Sequence, residues 1–219
     1  MNISDIIKSY KEELDPDITL VAISKTKPVS DILEAYNAGQ RIFGENKIQE
    51  MTEKWEALPK DIEWHMVGHV QTNKVKYMAP FVSLIHAVDS LKLLKEINKE
   101  ALKNNRNINC LLQIKIAEED SKFGLSVEEA REILRSDSYS KFTNVKVTGL
   151  MGMATFTDDM DQVKNEFEYL KTNFDELKKE FPDFKILSMG MSSDYKIAIS
   201  CGSNMVRIGS SIFGERNSH

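Results

Sequence analysis

The stretch Leu20-Val21-Ala22-Ile23-Ser24-Lys25-Thr26-Lys27-Pro28 opens with an apolar run and closes on lysines. The run Ile18 to Ile23 is short, β-branched and bounded by turn formers, which predicts a buried strand of a parallel sheet. Strand alternation puts Val21, Ile23 and Lys25 on one face, so Lys25 shares the direction of core residues. Such a site gives an amine little water, penalises its ammonium form and favours a nucleophile able to form Schiff bases. Lys27 has the same parity but lies past the strand, held extended by Pro28, and ranks below Lys25 as the reactive amine. The competing reading of Lys25 is a rim lysine that snorkels to solvent.

Outward from this strand, helices and strands alternate. Residues 3–14 predict a short amphipathic helix, with Ile3, Ile6, Ile7, Tyr10 and Leu14 on one side. Helices are expected at 29–38, 47–58, 72–79 and 90–103, and strands at 41–44, 64–67, 82–88 and 110–116. Ser126-Val127-Glu128-Glu129 is a capping box that opens the next helix. A sixth strand follows at 145–151. The helix at 159–180 carries Val163, Phe167, Leu170, Phe174, Leu177 and Phe181 in a stripe too short for a coiled coil, so it is read as packed on a sheet. Strands at 185–189 and 205–208 flank a short helix at 194–200. Eight strands alternating with helices predict a (β/α)8 TIM barrel with an extra N-terminal helix. A doubly wound open sheet is the alternative, but no Gly-x-Gly-x-x-Gly follows any strand.

Composition narrows the classes. The chain has 219 residues, 41% apolar and 29% charged, with five prolines, ten glycines and a net charge of −5. No break marks a domain boundary, so a single domain over 1–219 is expected. No basic stripe suggests a nucleic-acid surface. No apolar run reaches the roughly 20 residues that span a bilayer, and the N-terminus lacks signal-peptide character. Cys110 and Cys201 are read as two buried thiols in a reducing cytoplasm.

In a barrel of this kind, functional residues gather at the C-terminal strand ends. Lys25 ends strand one, and Gly44-Glu45-Asn46 ends strand two. Gly68-His69 and Lys115 end strands three and five, and Met151-Gly152-Met153 ends strand six. Ser192, Ser193 and Asp194 precede a short helix after strand seven, a seat for phosphate. Gly209 permits close backbone approach and Ser210 adds a hydroxyl, although capping and a tight turn explain these pieces equally well one at a time. Arg207 alternates with Val206 and Ile208 and points to the barrel mouth if those two face the helices. Its acceptor there is either a carboxylate such as Glu45 or a ligand heteroatom. One ligand would meet an amine, a phosphate seat and a guanidinium together: pyridoxal 5′-phosphate, as an internal aldimine on Lys25. His65 and His69 are roughly 13 Å apart along a strand, too far to share a metal. Lys115 and Lys122 are read as solvated, with Lys122 on a mouth-side loop from which it could approach the ligand.

Seven stretches extend this reading over nearly the whole chain: Ala22-Ile23-Ser24-Lys25-Thr26-Lys27-Pro28, Phe43-Gly44-Glu45-Asn46, Trp64-His65-Met66-Val67-Gly68, Gln71-Thr72-Asn73-Lys74, Gly149-Leu150-Met151, Ser188-Met189-Gly190-Met191-Ser192-Ser193-Asp194 and Val206-Arg207-Ile208-Gly209-Ser210-Ser211-Ile212-Phe213-Gly214. In these the sequence resembles the pyridoxal phosphate homeostasis protein family, single-domain relatives of the alanine racemase N-terminal barrel. The resemblance implies that Lys25 is the aldimine lysine and that Arg207 faces the pyridine nitrogen. It implies that Ser192, Ser193, Gly209 and Ser210 bind phosphate, with Asn46 close by. One departure is Gly68-His69-Val70, where relatives usually have Gly-Pro-Leu.

An arginine facing the pyridine nitrogen disfavours its protonation and weakens the ring as an electron sink. The racemases pair that arrangement with a tyrosine from a further domain, which is not expected here. The resemblance therefore implies a non-catalytic carrier and regulator of pyridoxal phosphate, whose partners would be the apo-enzymes that need it; the cysteines point to the cytoplasm, and the lack of a dimerising domain to a monomer. A low-activity amino-acid racemase is the alternative, and a cofactor-free Schiff-base aldolase a third.

Overall fold

Thr19–Ile23 is a strand because a short apolar run with β-branched Thr19, Val21 and Ile23 is flanked by a turn on either side. In the computed structural model, which describes residues 1–120 and 123–215, this strand starts a regular alternation. The order is α1 (Ile3–Glu13), β1 (Thr19–Ile23), α2 (Val29–Asn37), β2 (Ile42–Glu45), α3 (Ile48–Ala57) and β3 (Glu63–Met66). It continues with α4 (Val75–Met78), β4 (Leu84–Val88), α5 (Leu91–Lys103), β5 (Ile108–Gln113), α6 (Val127–Arg135) and α7 (Asp137–Ser140). The last part is β6 (Val145–Met151), α8 (Met160–Glu180), β7 (Ile186–Ser188), α9 (Tyr195–Ser200), β8 (Met205–Ile208) and α10 (Ser210–Phe213).

The strands pair in chain order, all parallel, and close on themselves. Closure runs through Thr19↔Met205, Leu20↔Val206, Val21↔Arg207 and Ala22↔Ile208. This is the expected (β/α)8 barrel with an N-terminal helix, and the β1–β8 pairing rules out an open sheet. Strand parity sorts the apolar residues into two layers. Leu20, Ala22, Val206 and Ile208 belong to the large cluster beneath the helices. Val21, Leu84, Leu111, Met151 and Met205 form a smaller cluster inside the barrel, with Ile23 packed against it. Because Arg207 has the parity of Met205, its side chain points inward. The long α8 buries Val163, Phe167, Leu170, Phe174 and Leu177, as a helix laid on the sheet should.

Several boundaries differ from expectation. β5 ends at Gln113, so Lys115 lies past the strand, exposed and 3.8 Å from Asp120. The β4–β5 and β5–β6 registers each shift by one residue, between Ile85 and Val88 and between Cys110 and Leu112. Such bulges are not visible in a hydrophobic pattern. The helix expected at 72–79 divides into a 3₁₀ turn at Thr72–Lys74 and α4. Of the two thiols, Cys110 is buried and its pKa is pushed up by that burial. Cys201 is only half-buried, because it caps the short α9 at its open end.

Candidate functional site

Four strand ends meet around the β1–β8 seam. Ile23 pairs with Gly44 on one side. On the other, a Cβ placed on Gly209 would lie 3.1 Å from the Ile23 carbonyl oxygen. Lys25 follows two residues later, half-buried, in a turn closed by the Lys27 N–H on the Ser24 carbonyl at 3.1 Å. Lys27 turns away and donates through Nζ to the Glu215 carbonyl at 3.0 Å.

At the neighbouring end, the Gly209 N–H approaches Ser192 Oγ at 3.4 Å. Ser192 is half-buried, while Ser193 and Ser210 are exposed. The α9 and α10 starts have no side-chain cap bond, and the Tyr195 N–H that opens α9 donates to the Met191 carbonyl at 2.9 Å. Asp194 folds back to accept the Met191 N–H at 2.7 Å. Burial raises its pKa against the weaker opposing effect of that bond. Ser192, Ser193, Asp194 and Ser211 line a recess of about 350 Å³ here. A second cavity of about 630 Å³, lined by Asn46, Met66, His69, Gln71 and Tyr77 among others, opens beside β2 and β3. It touches this constellation through Asn46 alone. Gly68 is needed at its edge, since a Cβ there would meet the Asn46 carbonyl at 2.3 Å.

Arg207 lies inside the barrel, and its acceptor is not Glu45. One terminal nitrogen donates to Ser188 Oγ and the other to the Gly152 carbonyl at 3.1 Å. Among the described residues no carboxylate stands within ion-pair distance of it. Burial pulls its pKa down to about 10, partly countered by Asp194, which leaves it charged at neutral pH. Behind it a hydrogen-bonded chain crosses the barrel: Ser188 Oγ to His86 Nδ1 at 2.9 Å, then His86 Nε2 to His65 Nδ1 at 2.9 Å. Burial lowers both imidazoles, His65 to about 3. His65 therefore pairs with His86 and not with His69. His69 stacks on Phe123, with centroids 4.0 Å apart, and approaches Asp89 at 3.6 Å. The His69 departure thus joins the loops after β3 and β5 across the mouth. Lys122 lies outside the described residues. Among those described, no group of three or more His, Cys, Asp or Glu could hold a metal ion.

Glu45 is held elsewhere. It faces α3, where Lys54 Nζ donates to its Oε1 at 2.9 Å and Ser24 Oγ donates to its Oε2 at 2.5 Å. Burial pushes its pKa up to about 7, outweighing the lowering by Ser24 and Lys54. His86, Ser188 and Lys54 were missed in the sequence, although each left a trace. His86 and Ser188 are polar residues inside apolar strands, and Lys54 lies on the buried stripe of α3 with Ile48 and Met51.

Comparison with known proteins adds lineage to this geometry. The alanine racemase N-terminal domain family matches residues 2–217. The pyridoxal phosphate homeostasis protein of Aquifex aeolicus (strain VF5) is 41% identical over 199 residues, 90% of this chain and 86% of that one. This chain belongs to the pyridoxal phosphate homeostasis protein family. Another similar structure, PipY of Synechococcus elongatus PCC7942 with pyridoxal phosphate (PLP) bound, is 32% identical with a TM-score of 0.88. It covers 97% of this chain and is itself covered completely. Alanine racemase of Clostridium difficile 630, at 16% identity and a TM-score of 0.77, shares the fold, and the homeostasis-family chain spans 57% of it. No described helix is long and apolar enough to cross a membrane.

Proposed function

We propose that this protein binds pyridoxal 5′-phosphate covalently through Lys25 and acts as a carrier that buffers and delivers the cofactor. The observation that carries this reading is Arg207: a buried guanidinium held by a hydroxyl and a carbonyl, with no carboxylate paired to it among the described residues. A buried cation without an anionic partner is costly, and an external acceptor offsets that cost. The residues fit the cofactor at its other ends as well. Ser192, Ser193 and Ser210 would offer hydroxyls, and Gly209 and Ser210 backbone N–H groups, to a phosphate, and Asn46 would lie close to the cofactor. Pyridoxal phosphate supplies an aldehyde that condenses with amines. Lys25 would supply the amine, Arg207 would serve the ring nitrogen, and the Ser192–Gly209 edge would hold the phosphate.

The tyrosines support a carrier over a racemase. Tyr36 donates to Asp61, Tyr195 donates to Glu13, Tyr139 accepts the Val147 N–H, and Tyr10 packs edge-on against Tyr195. Tyr77 and Tyr169 are half-exposed, on α4 and α8. No tyrosine hydroxyl joins the Arg207 chain, so a second acid/base is not evident. We read the protein as a single-domain cytoplasmic monomer whose partners are apo-enzymes.

Absorption spectroscopy of the purified protein, before and after borohydride, tests this directly. A visible band is expected, lost on reduction with the pyridoxyl group fixed on Lys25, and absent from Lys25→Ala. A wild-type protein that stays colourless and unlabelled after incubation with pyridoxal phosphate defeats the reading.

A further inference from the structure

Lys25 is presented by a strained turn. Its neighbour Thr26 has φ 65, in the left-handed region that a β-branched residue rarely adopts. Such a conformation persists only where the surroundings over-determine it. Here they do, on both sides of Lys25. The Thr26 N–H donates to Glu50 Oε2 at 2.7 Å. The Ser24 carbonyl accepts from Lys54 Nζ at 2.7 Å, and Ser24 Oγ donates to Glu45. The same Lys54 ammonium donates to Glu50 at 2.6 Å and to Glu45 at 2.9 Å, so its three donors are filled by one carbonyl and two carboxylates. Lys54 and Glu45 are buried and Glu50 is half-buried. Apolar side chains would join α3 to the sheet without the desolvation cost of these charges. What the charges add is a grip on the two residues that flank Lys25.

We propose that Glu50 and Lys54 of α3, with Glu45 of β2, are positioning residues that clamp the Ser24–Lys27 turn and thereby present the Lys25 amine at the barrel mouth. This rests on the reading of Lys25 as the reactive amine. Glu50 is the informative position, because it lies at the edge of the cluster and its replacement leaves the buried Lys54–Glu45 pair intact. Glu50→Gln keeps an acceptor for the Thr26 N–H, whereas Glu50→Ala removes it.

Three readouts on the full chain separate the clamp from the cofactor reading. Amide exchange at Thr26 should accelerate at least about tenfold in Glu50→Ala and return toward wild type in Glu50→Gln. The pyridoxal phosphate concentration that half-saturates borohydride-trapped labelling of Lys25 should rise about tenfold in Glu50→Ala and at most about threefold in Glu50→Gln. The ratio of Lys25 to Lys27 modification by formaldehyde and cyanoborohydride, which needs no cofactor, should change at least about threefold in Glu50→Ala. Unchanged Thr26 exchange, or faster exchange with Lys25 modification unaltered toward both aldehydes, overturns the clamp. If the wild type captures no pyridoxal phosphate, the cofactor reading falls alone, and the formaldehyde ratio still decides the clamp.

Discussion

Ser188 stands between a guanidinium and an imidazole, and the chemistry of those neighbours fixes the direction of its hydroxyl. A guanidinium only donates, so Ser188 Oγ accepts from Arg207 and sends its own proton toward His86 Nδ1. His86 then carries its proton on Nε2 and donates to His65 Nδ1. All three bonds run one way, away from the cation, and both imidazoles must be neutral. Ser188→Ala would strand a donor on Arg207 and an acceptor on His86. With bonds to charged groups worth about 1.5–3 kcal/mol, the expected loss in urea denaturation is about 3 kcal/mol. A loss under about 1 kcal/mol would show that this chain does not hold Arg207. Only part of the chain was legible beforehand. Strand parity showed Arg207 facing in, but parity does not tell which strand across the barrel supplies the acceptor.

At the scale of elements, the bulges and glycines decide where side chains point. β6 gains a residue against β5 near Gly149, and its backbone runs close to β7 there. A Cβ on Gly149 would fall 1.8 Å from the Ile186 carbonyl oxygen, and β7 is only three residues long. Backbone cannot yield as a side-chain tip can. Gly149→Ala is expected to cost at least about 3 kcal/mol, read as a lowered thermal midpoint by circular dichroism. A midpoint within a few degrees of wild type would mean that β7 shifts freely. The capping box at Ser126 and Glu129 forms as its spacing predicts, since both of its bonds are local. Helices α7 and α10, four residues each, had no periodicity to reveal them. α3 was expected as an amphipathic helix, yet the lysine on its buried stripe gains its meaning from Glu45 of β2 and from Ser24 just past β1, beside Glu50 on its own helix.

For the whole molecule, three buried groups give a pH profile whose sign can be worked out. His65 and His86 ordinarily titrate near 6.5 and are lowered by burial, so below that pH the unfolded chain binds protons that the folded chain refuses. Their contribution is lost as pH falls from 6.5 toward 3. Glu45 is raised from 4.5 to about 7, so its contribution is present below 4.5 and is lost as pH rises to about 7. Between 4.5 and 6.5 two histidines oppose Glu45, and these three groups together favour higher pH by up to about 1.4 kcal/mol per pH unit, with the raised carboxyl of Asp194 working against them. Denaturation midpoints should therefore rise from pH 5 to 6.5. The imidazole NMR shifts of His65 and His86 should stay constant over the same range. A shift that titrates near 6.5 would show that the histidine chain is open to water.

The sequence by itself determined the barrel, the strand that carries Lys25 and the inward face of Arg207. Those follow from period-two and period-3.6 patterns, which are local and need no partner. Tertiary structure alone decided what those residues touch. Glu45 turned to Lys54 and Ser24 instead of Arg207, His65 found His86 on the next strand, and the Thr26 N–H met Glu50 of α3 in a left-handed turn. A buried polar group takes the partner that closure of the barrel brings within about 3 Å, and distance along the chain carries no record of that choice.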